Sequence, residues 1–214
     1  MKLPAGLILM FLLCSAFTAH AQSNSFVIRL GTMQPVRDLL DSNVSKNSLR
    51  LNVGYGRKLS EHSAVDITAF ADLMNYNFYF DYDDKRFEGS TLYTGIAVTP
   101  RYCFNPEGDF QVGVALSIKG GYNVGYGTIN KYSNEREDYT DRLENKSAGA
   151  GYTFAFSPML TFTCPVDFGS VGFELGYDSS NYGAGISHLR SKYYAPVKYN
   201  TGYLFFGVFF RLHD

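Results

Sequence analysis

The chain has 214 residues, 45% of them hydrophobic and 16% aromatic, and its 19 Lys+Arg against 20 Asp+Glu give a net charge of -1. That balance excludes a disordered chain, which lacks the apolar content to fold, and a nucleic-acid binder, which needs a basic excess. With 17 Tyr, 18 Phe, 21 Gly and no Trp, the composition is that of strands and turns, because aromatic rings pack well on pleated sheets and glycine serves tight connections.

Lys2 precedes an apolar run from Leu7 to Leu13, and Ala19-His20-Ala21 places small residues around a cleavage point. This is the pattern of a signal peptide over residues 1–21, with Gln22 as the first mature residue and export as its consequence. A membrane-spanning helix needs about 20 apolar residues, which this run does not approach. Cys14 is not a lipidation site, since Leu12 and Leu13 stand where small residues belong. Removing 1–21 takes away Lys2 alone among the charged residues, so the mature charge is 18 minus 20, or -2.

Eight strands follow, forming one domain over 22–214. The first three carry Phe26, Ile28 and Leu30; then Leu49, Leu51, Val53 and Tyr55; then Val65, Ile67, Ala69, Ala71 and Leu73. In the third, the apolar parity switches to Tyr76, Phe78 and Phe80, which predicts a bulge or departure from the sheet. The fourth sets Leu92, Ile96, Val98, Tyr102 and Phe104 against Tyr93, Gly95, Ala97, Thr99 and Arg101. The fifth is the clearest: Phe110, Val112, Val114, Leu116 and Ile118 continue into Tyr122, Val124 and Tyr126, against Gln111, Gly113, Ala115, Ser117 and Lys119. A period of two held this long is a strand with one apolar and one small-or-polar face. Tyr152 to Phe162, Val171 to Tyr177 and Leu204 to Leu212 repeat the pattern.

The connections alternate in length. Short ones fall at Ser60–Ser63, Asn105–Asp109 and Pro165–Gly169, and long ones at Gln34–Asn47, Asp81–Ser90, Thr128–Ser147 and Asn181–Asn200. In an up-and-down arrangement all short turns share one end, together with both termini, as in outer-membrane barrels with periplasmic turns and extracellular loops. Periodicity does not say which face points outward. A soluble lipocalin-like carrier buries its apolar face; a membrane barrel exposes it. Here the second face is mostly Gly, Ala, Ser and Thr with isolated charges, which suits a crowded interior. Phe104, Phe110, Phe162 and Phe210 near the short turns, and Tyr122, Tyr126, Tyr152 and Tyr177 nearer the long loops, read as two aromatic belts.

The signal peptide, the alternating strands and the last strand GYLFFGVFFRLHD resemble the small eight-stranded outer-membrane β-barrel proteins of Gram-negative bacteria, of the OmpX and OmpA membrane-domain type. The Gln-started mature chain is similar to those from Bacteroidota. The resemblance is architectural, covers essentially all of 22–214, and implies an all-β, antiparallel, transmembrane barrel in the outer membrane with both termini periplasmic. Family chains usually end on an aromatic residue recognised by the barrel-assembly machinery, whereas Phe210 here is followed by Leu212, His213 and Asp214.

The polar face gathers Arg29, Arg50, Asp66, Asp72, Arg101, Lys119, Glu174 and Arg211. Charges in a low-dielectric interior persist when paired and hydrogen-bonded, and an eight-stranded barrel leaves room only for side chains. A salt-bridge plug is therefore expected, with an ion conduit as the alternative and sugar diffusion excluded. Cys103 and Cys164 lie on strands separated by one other, at about twice the 4.8 Å strand spacing, so two unpaired thiols are expected unless the turn curls. Two cysteines are too few for a metal site. Asp81, Asp83 and Asp84 lack the ligand spacing of a calcium loop, and the sequons Asn43-Val44-Ser45 and Asn145-Lys146-Ser147 are coincidental in a bacterial chain. No cofactor is expected.

The resemblance also brings in barrels that deacylate or palmitoylate lipid A. Their pattern places His and Ser two apart on a strand; here Ser187-His188-Leu189-Arg190-Ser191 sets His188 and Ser191 three apart in a loop, without a third group to orient the imidazole. Loop binding is the remaining function. The third long loop is mixed in charge, with Glu135, Arg136, Glu137, Asp138, Asp141, Arg142, Glu144 and Lys146. The fourth holds Tyr182, His188, Arg190, Lys192, Tyr193, Tyr194, Lys198 and Tyr199, residue types that serve binding surfaces and pair with lipopolysaccharide phosphates. The expected function is a non-enzymatic outer-membrane barrel with a plugged interior. Its long loops contact outer-membrane lipid, lipopolysaccharide or an external partner in a structural or adhesion-type role. The alternatives are the lipid A-modifying enzyme and the lipocalin-like carrier.

Overall fold

The computed structural model describes residues 24–36, 48–80, 85–133, 138–189 and 202–213. The strands are β1 (Asn24–Pro35), β2 (Ser48–Lys58), β3 (Ser63–Phe80), β4 (Lys85–Cys103), β5 (Gln111–Ser133), β6 (Asp138–Val166), β7 (Gly169–Asp178) and β8 (Tyr203–His213), with one short helix, α1 (Gly183–Ser187), between the last two. Each strand pairs antiparallel with the next, and β1 pairs with β8, so the sheet closes into a barrel in chain order. Closure leaves no unpaired edge within the ring. This is an eight-stranded, up-and-down, all-β barrel.

The period-two pattern sets the wall. On β5 the residues Val114, Leu116, Ile118 and Tyr122 face outward and are exposed, while Ala115, Ser117, Lys119 and Asn123 face inward and are buried. The same parity holds on β7, where Phe173, Leu175 and Tyr177 are exposed and Glu174 and Asp178 are buried. The apolar face is therefore the outer one, which removes the lipocalin-like arrangement. Aromatic side chains cluster on the outer face near the short turns, with Phe110 stacked on Phe162 at 6.0 Å and Phe162 on Phe173 at 4.7 Å. Toward the other end Tyr122 meets Tyr152 edge-on at 5.2 Å.

Three expectations are corrected. No bulge interrupts β3: its pairing with β4 runs in step from Ser63↔Tyr102 to Phe80↔Lys85. The parity switch instead marks a change in what faces inward, from Asp66, Thr68 and Asp72 to Met74 and Tyr76, all buried. The register shifts lie between β5 and β6, at Asn123/Val124, Ile129/Asn130 and Lys131/Tyr132. Second, most of Asp81–Ser90 and Thr128–Ser147 is strand. The pairs β3–β4 and β5–β6 continue past the point where β2 stops at Ser48↔Met74, building a four-stranded extension beyond the ring. Charge-rich sequence there reads as loop because its apolar residues are sparse, Phe87 and Ile129 being buried among polar and charged neighbours; the backbone ladder defines the strands. Third, the inner face is not uniformly small or polar, since Phe70, Tyr93, Phe205 and Phe209 are buried within it.

Candidate functional site

The predicted inward charges form two tiers inside the barrel. The tier toward the short turns centres on Asp66 of β3, which is fully buried. Arg211 of β8 forks onto it, with Nη2 at 2.8 Å from Oδ1 and 2.9 Å from Oδ2. Its Nη1 donates to the Ser25 hydroxyl at 3.0 Å. Arg29 of β1 donates from Nη2 to Asp66 Oδ2, and its Nη1 reaches Thr99 Oγ1 at 3.4 Å. Glu174 Oε2 lies 3.5 Å from Arg29 Nε, and Arg101 Nε lies 3.1 Å from Asp66 Oδ2. Five strands are thereby tied across the lumen.

The second tier centres on Lys119 of β5. Its ammonium sits 2.7 Å from Asp72 Oδ2 and 2.5 Å from Asp178 Oδ2, all three side chains being fully buried. It also donates to the Tyr182 hydroxyl at 3.1 Å, and that hydroxyl donates onward to Asp72 Oδ2 at 2.7 Å. Arg50 Nη1 approaches Asp178 Oδ2 at 3.3 Å, and its guanidinium lies 4.2 Å from the Phe205 ring centre. Around this tier stand aromatic walls that no charge pattern could announce. Phe70 meets Tyr93 at 4.8 Å, Tyr182 meets Tyr203 at 4.8 Å, and the Tyr76 and Tyr203 hydroxyls are 3.1 Å apart.

Tyr182 corrects its own assignment. Expected on a loop surface, it is fully buried, because the chain after β7 turns back into the lumen mouth instead of running out over it. The insertion carries α1 with it: Ile186 and Leu189 are buried with Tyr182, and the Asn123 side-chain amide donates to the Asn181 carbonyl at 3.0 Å. Two glycines allow the approach. A Cβ on Gly125 would fall 2.2 Å from the carbonyl carbon and oxygen of Gly185, and one on Gly185 would fall 2.7 Å from Gly125 N. A Cβ on Gly127 would meet Leu189 Cδ1 at 2.7 Å. Glycine on the inner face thus reads as room for an inserted segment, a signal the sequence carries but does not label.

Of the other loop residues, His188 is exposed and its Nδ1 hydrogen-bonds the Ala184 carbonyl at 2.7 Å, which makes it a helix C-terminal contact. Arg190, Ser191, Lys192, Tyr193, Tyr194, Lys198 and Tyr199 lie outside the described residues, as do 1–23 with the signal peptide, Asn43-Val44-Ser45, Asp81, Asp83 and Asp84, and Glu135, Arg136 and Glu137. Lys146 pairs with Glu144 at 2.7 Å on the extension. Cys103 and Cys164 are both free. They point to opposite faces of the wall, Cys103 continuing the inward parity of Thr99 and Arg101 and Cys164 the outward parity of Phe154 and Leu160, so their separation is one of face as well as distance. Among the described residues no three His, Cys, Asp or Glu side chains gather as a metal cluster would.

No protein-family model matches the chain, and no curated protein matches it. Solved structures similar to it are small outer-membrane barrels. One is Ail, the attachment invasion locus protein of Yersinia pestis, in complex with the heparin analogue sucrose octasulfate, at 14% identity over 89% of this chain and 97% of that one, TM-score 0.44. Another is Neisserial surface protein A, at 9% identity over 90% and 96%, TM-score 0.43. A third is the outer membrane enzyme PagL, at 10% identity over 88% and 98%, TM-score 0.30. Identities and scores this low transfer no residue role to this chain, whose function is read from its own geometry.

Proposed function

We propose that this chain is a non-enzymatic outer-membrane barrel protein of the Bacteroidota type, exported by the signal peptide over 1–21, with the short turns and both termini in the periplasm. The lumen is a structural fastening, and the long-loop end, with its projecting sheet, contacts lipopolysaccharide, other envelope components or an external partner in an adhesion-type role. The observation that carries this reading is the inside-out amphipathy of the wall. Large apolar side chains such as Ile67, Ile96, Phe154, Phe156, Leu175 and Phe206 are between 46% and 81% exposed around the whole circumference, while Asp66, Asp72, Lys119 and Asp178 are fully buried. Soluble monomers seldom expose contiguous apolar patches beyond a few hundred Å². The height fits as well: the 11 residues of β8, at ~3.4 Å each and tilted by ~45°, project to roughly 26 Å, close to the ~25 Å apolar band of membrane barrels.

Cell-envelope fractionation tests this, followed by gel migration of the extracted protein with and without boiling. Recovery in the outer membrane with a heat-dependent mobility shift is the expected result; recovery in a soluble fraction, without detergent, would overturn the reading. The non-enzymatic part has its own test. His188→Ala is expected to leave the lipid A acylation profile equal to that of the wild type, and both equal to that of a deletion strain. A profile that changes on deletion and again on His188→Ala would make the chain a lipid A-modifying enzyme.

A further inference from the structure

At the short-turn mouth the barrel holds a recess of about 190 Å³, whose lining includes Arg101, Arg211, Thr161 and Thr163. Its floor is the tier around Asp66, and the charges there do not balance. Arg29, Arg101 and Arg211 face two carboxylates, Asp66 and Glu174, a surplus of one cation. The other tier is even, with Arg50 and Lys119 against Asp72 and Asp178. A tier that served only to fasten strands would be expected to balance in the same way.

The surplus can be assigned to one residue. Asp66 is already engaged by the fork of Arg211 on both oxygens and by Arg29 on Oδ2. The shortest approach of Arg101 to it is from Nε, at 3.1 Å and without the geometry of a hydrogen bond. Arg101 Nε is buried without a hydrogen-bond acceptor among the described residues, while the side chain as a whole remains 17% exposed and lines the recess. Lys58 and Glu61 on the rim cancel in formal charge, and the remaining titratable lining residues, His62, Tyr102, Cys103 and His213, include no carboxylate.

We propose that this recess is a binding site for an oxyanion end group, a phosphate or a carboxylate, held by the free edge of Arg101 with Arg211 behind it and the Thr161 and Thr163 hydroxyls beside it. A guanidinium presents planar paired donors that match such groups. The volume is below the ~300 Å³ at which sites begin to enclose a drug-sized ligand, so the recess takes the anionic end of a molecule and not the whole of it. That the ligand is periplasmic rests on the orientation proposed above; the binding itself does not.

The test uses the full mature chain folded in an uncharged detergent and titrated calorimetrically with inorganic phosphate, glycerol phosphate and acetate, each against sodium chloride at matched ionic strength. Saturable binding to at least one oxyanion is expected, weakened tenfold or more in Arg101→Gln, with the heat-dependent mobility shift of a folded barrel retained. Preference for glycerol phosphate would identify a phosphoryl group on a larger molecule, preference for inorganic phosphate the free ion, and preference for acetate a carboxylate. No saturation beyond chloride, or equal affinity in Arg101→Gln, would overturn the proposal. If Arg101→Gln does not fold, Arg101→Lys, which keeps the charge and loses the fork, serves in its place: weaker binding supports the site and unchanged affinity refutes it. Fractionation into the outer membrane is decided independently of these titrations.

Discussion

Lys119→Met is expected to lower the unfolding temperature by roughly 6–20 °C, from a cost of about 3–5 kcal/mol for breaking a buried ion pair and about 2–4 °C per kcal/mol at this chain length. Among the described residues Lys119 alone bridges Asp72, Asp178 and the Tyr182 hydroxyl, and the three charged side chains are fully buried. Removing it leaves two buried carboxylates with Arg50, 3.3 Å from Asp178, as the cation of the tier. The large term is thus the stranded charge and not the lost attraction. Asp72→Asn in the Lys119→Met background should therefore recover most of the loss, leaving Asp178 paired with Arg50. The midpoint of the heat-induced mobility shift measures both. An unchanged midpoint in the single variant would mean that the tier is hydrated and contributes little to stability.

Gly125→Val is expected to drive α1 out of the lumen. The added Cβ would overlap the Gly185 carbonyl at 2.2 Å, a backbone atom with no flexible end to move aside. Expulsion exposes Ile186, now fully buried, at a cost of about 1.5–3 kcal/mol, and takes the Tyr182 hydroxyl from Asp72. Limited proteolysis should then cut between 182 and 189 in Gly125→Val and spare the wild type. Planar-bilayer conductance should stay closed in both, because the Asp66 tier still fills the lumen below. Equal protease resistance in the two proteins would show that the segment is held by something other than this glycine contact. Conductance in Gly125→Val alone would show that α1, and not the charged tiers, closes the barrel.

Local pattern was enough for the wall. Val112 to Tyr126 alternates so regularly that strand, faces and inward charges all follow from it, since side-chain direction in a strand has a period of two regardless of what surrounds it. The same rule listed eight inward charges and left out Asp178, a ninth, which is fully buried beside Lys119. It failed at Tyr76, where apolar residues on the inner face imitate a register shift, and along Asp141–Ser147, where Leu143 alone packs against the core and no apolar alternation shows.

What the sequence by itself determined is therefore whatever depends on neighbours along the chain: the strand count, which residues share a face, and most of the charges that face inward. Only the tertiary structure decided what depends on neighbours in space. That Asp66 gathers three arginines while Asp72 and Asp178 share Lys119 follows from residues 35 to 145 apart in sequence meeting across the lumen. That Tyr182 is a lumen residue and not a surface one follows from Gly125 and Gly185 touching across 60 residues of sequence. The free edge of Arg101 belongs to the same class, because a surplus charge exists only once the partners that each carboxylate has accepted are known.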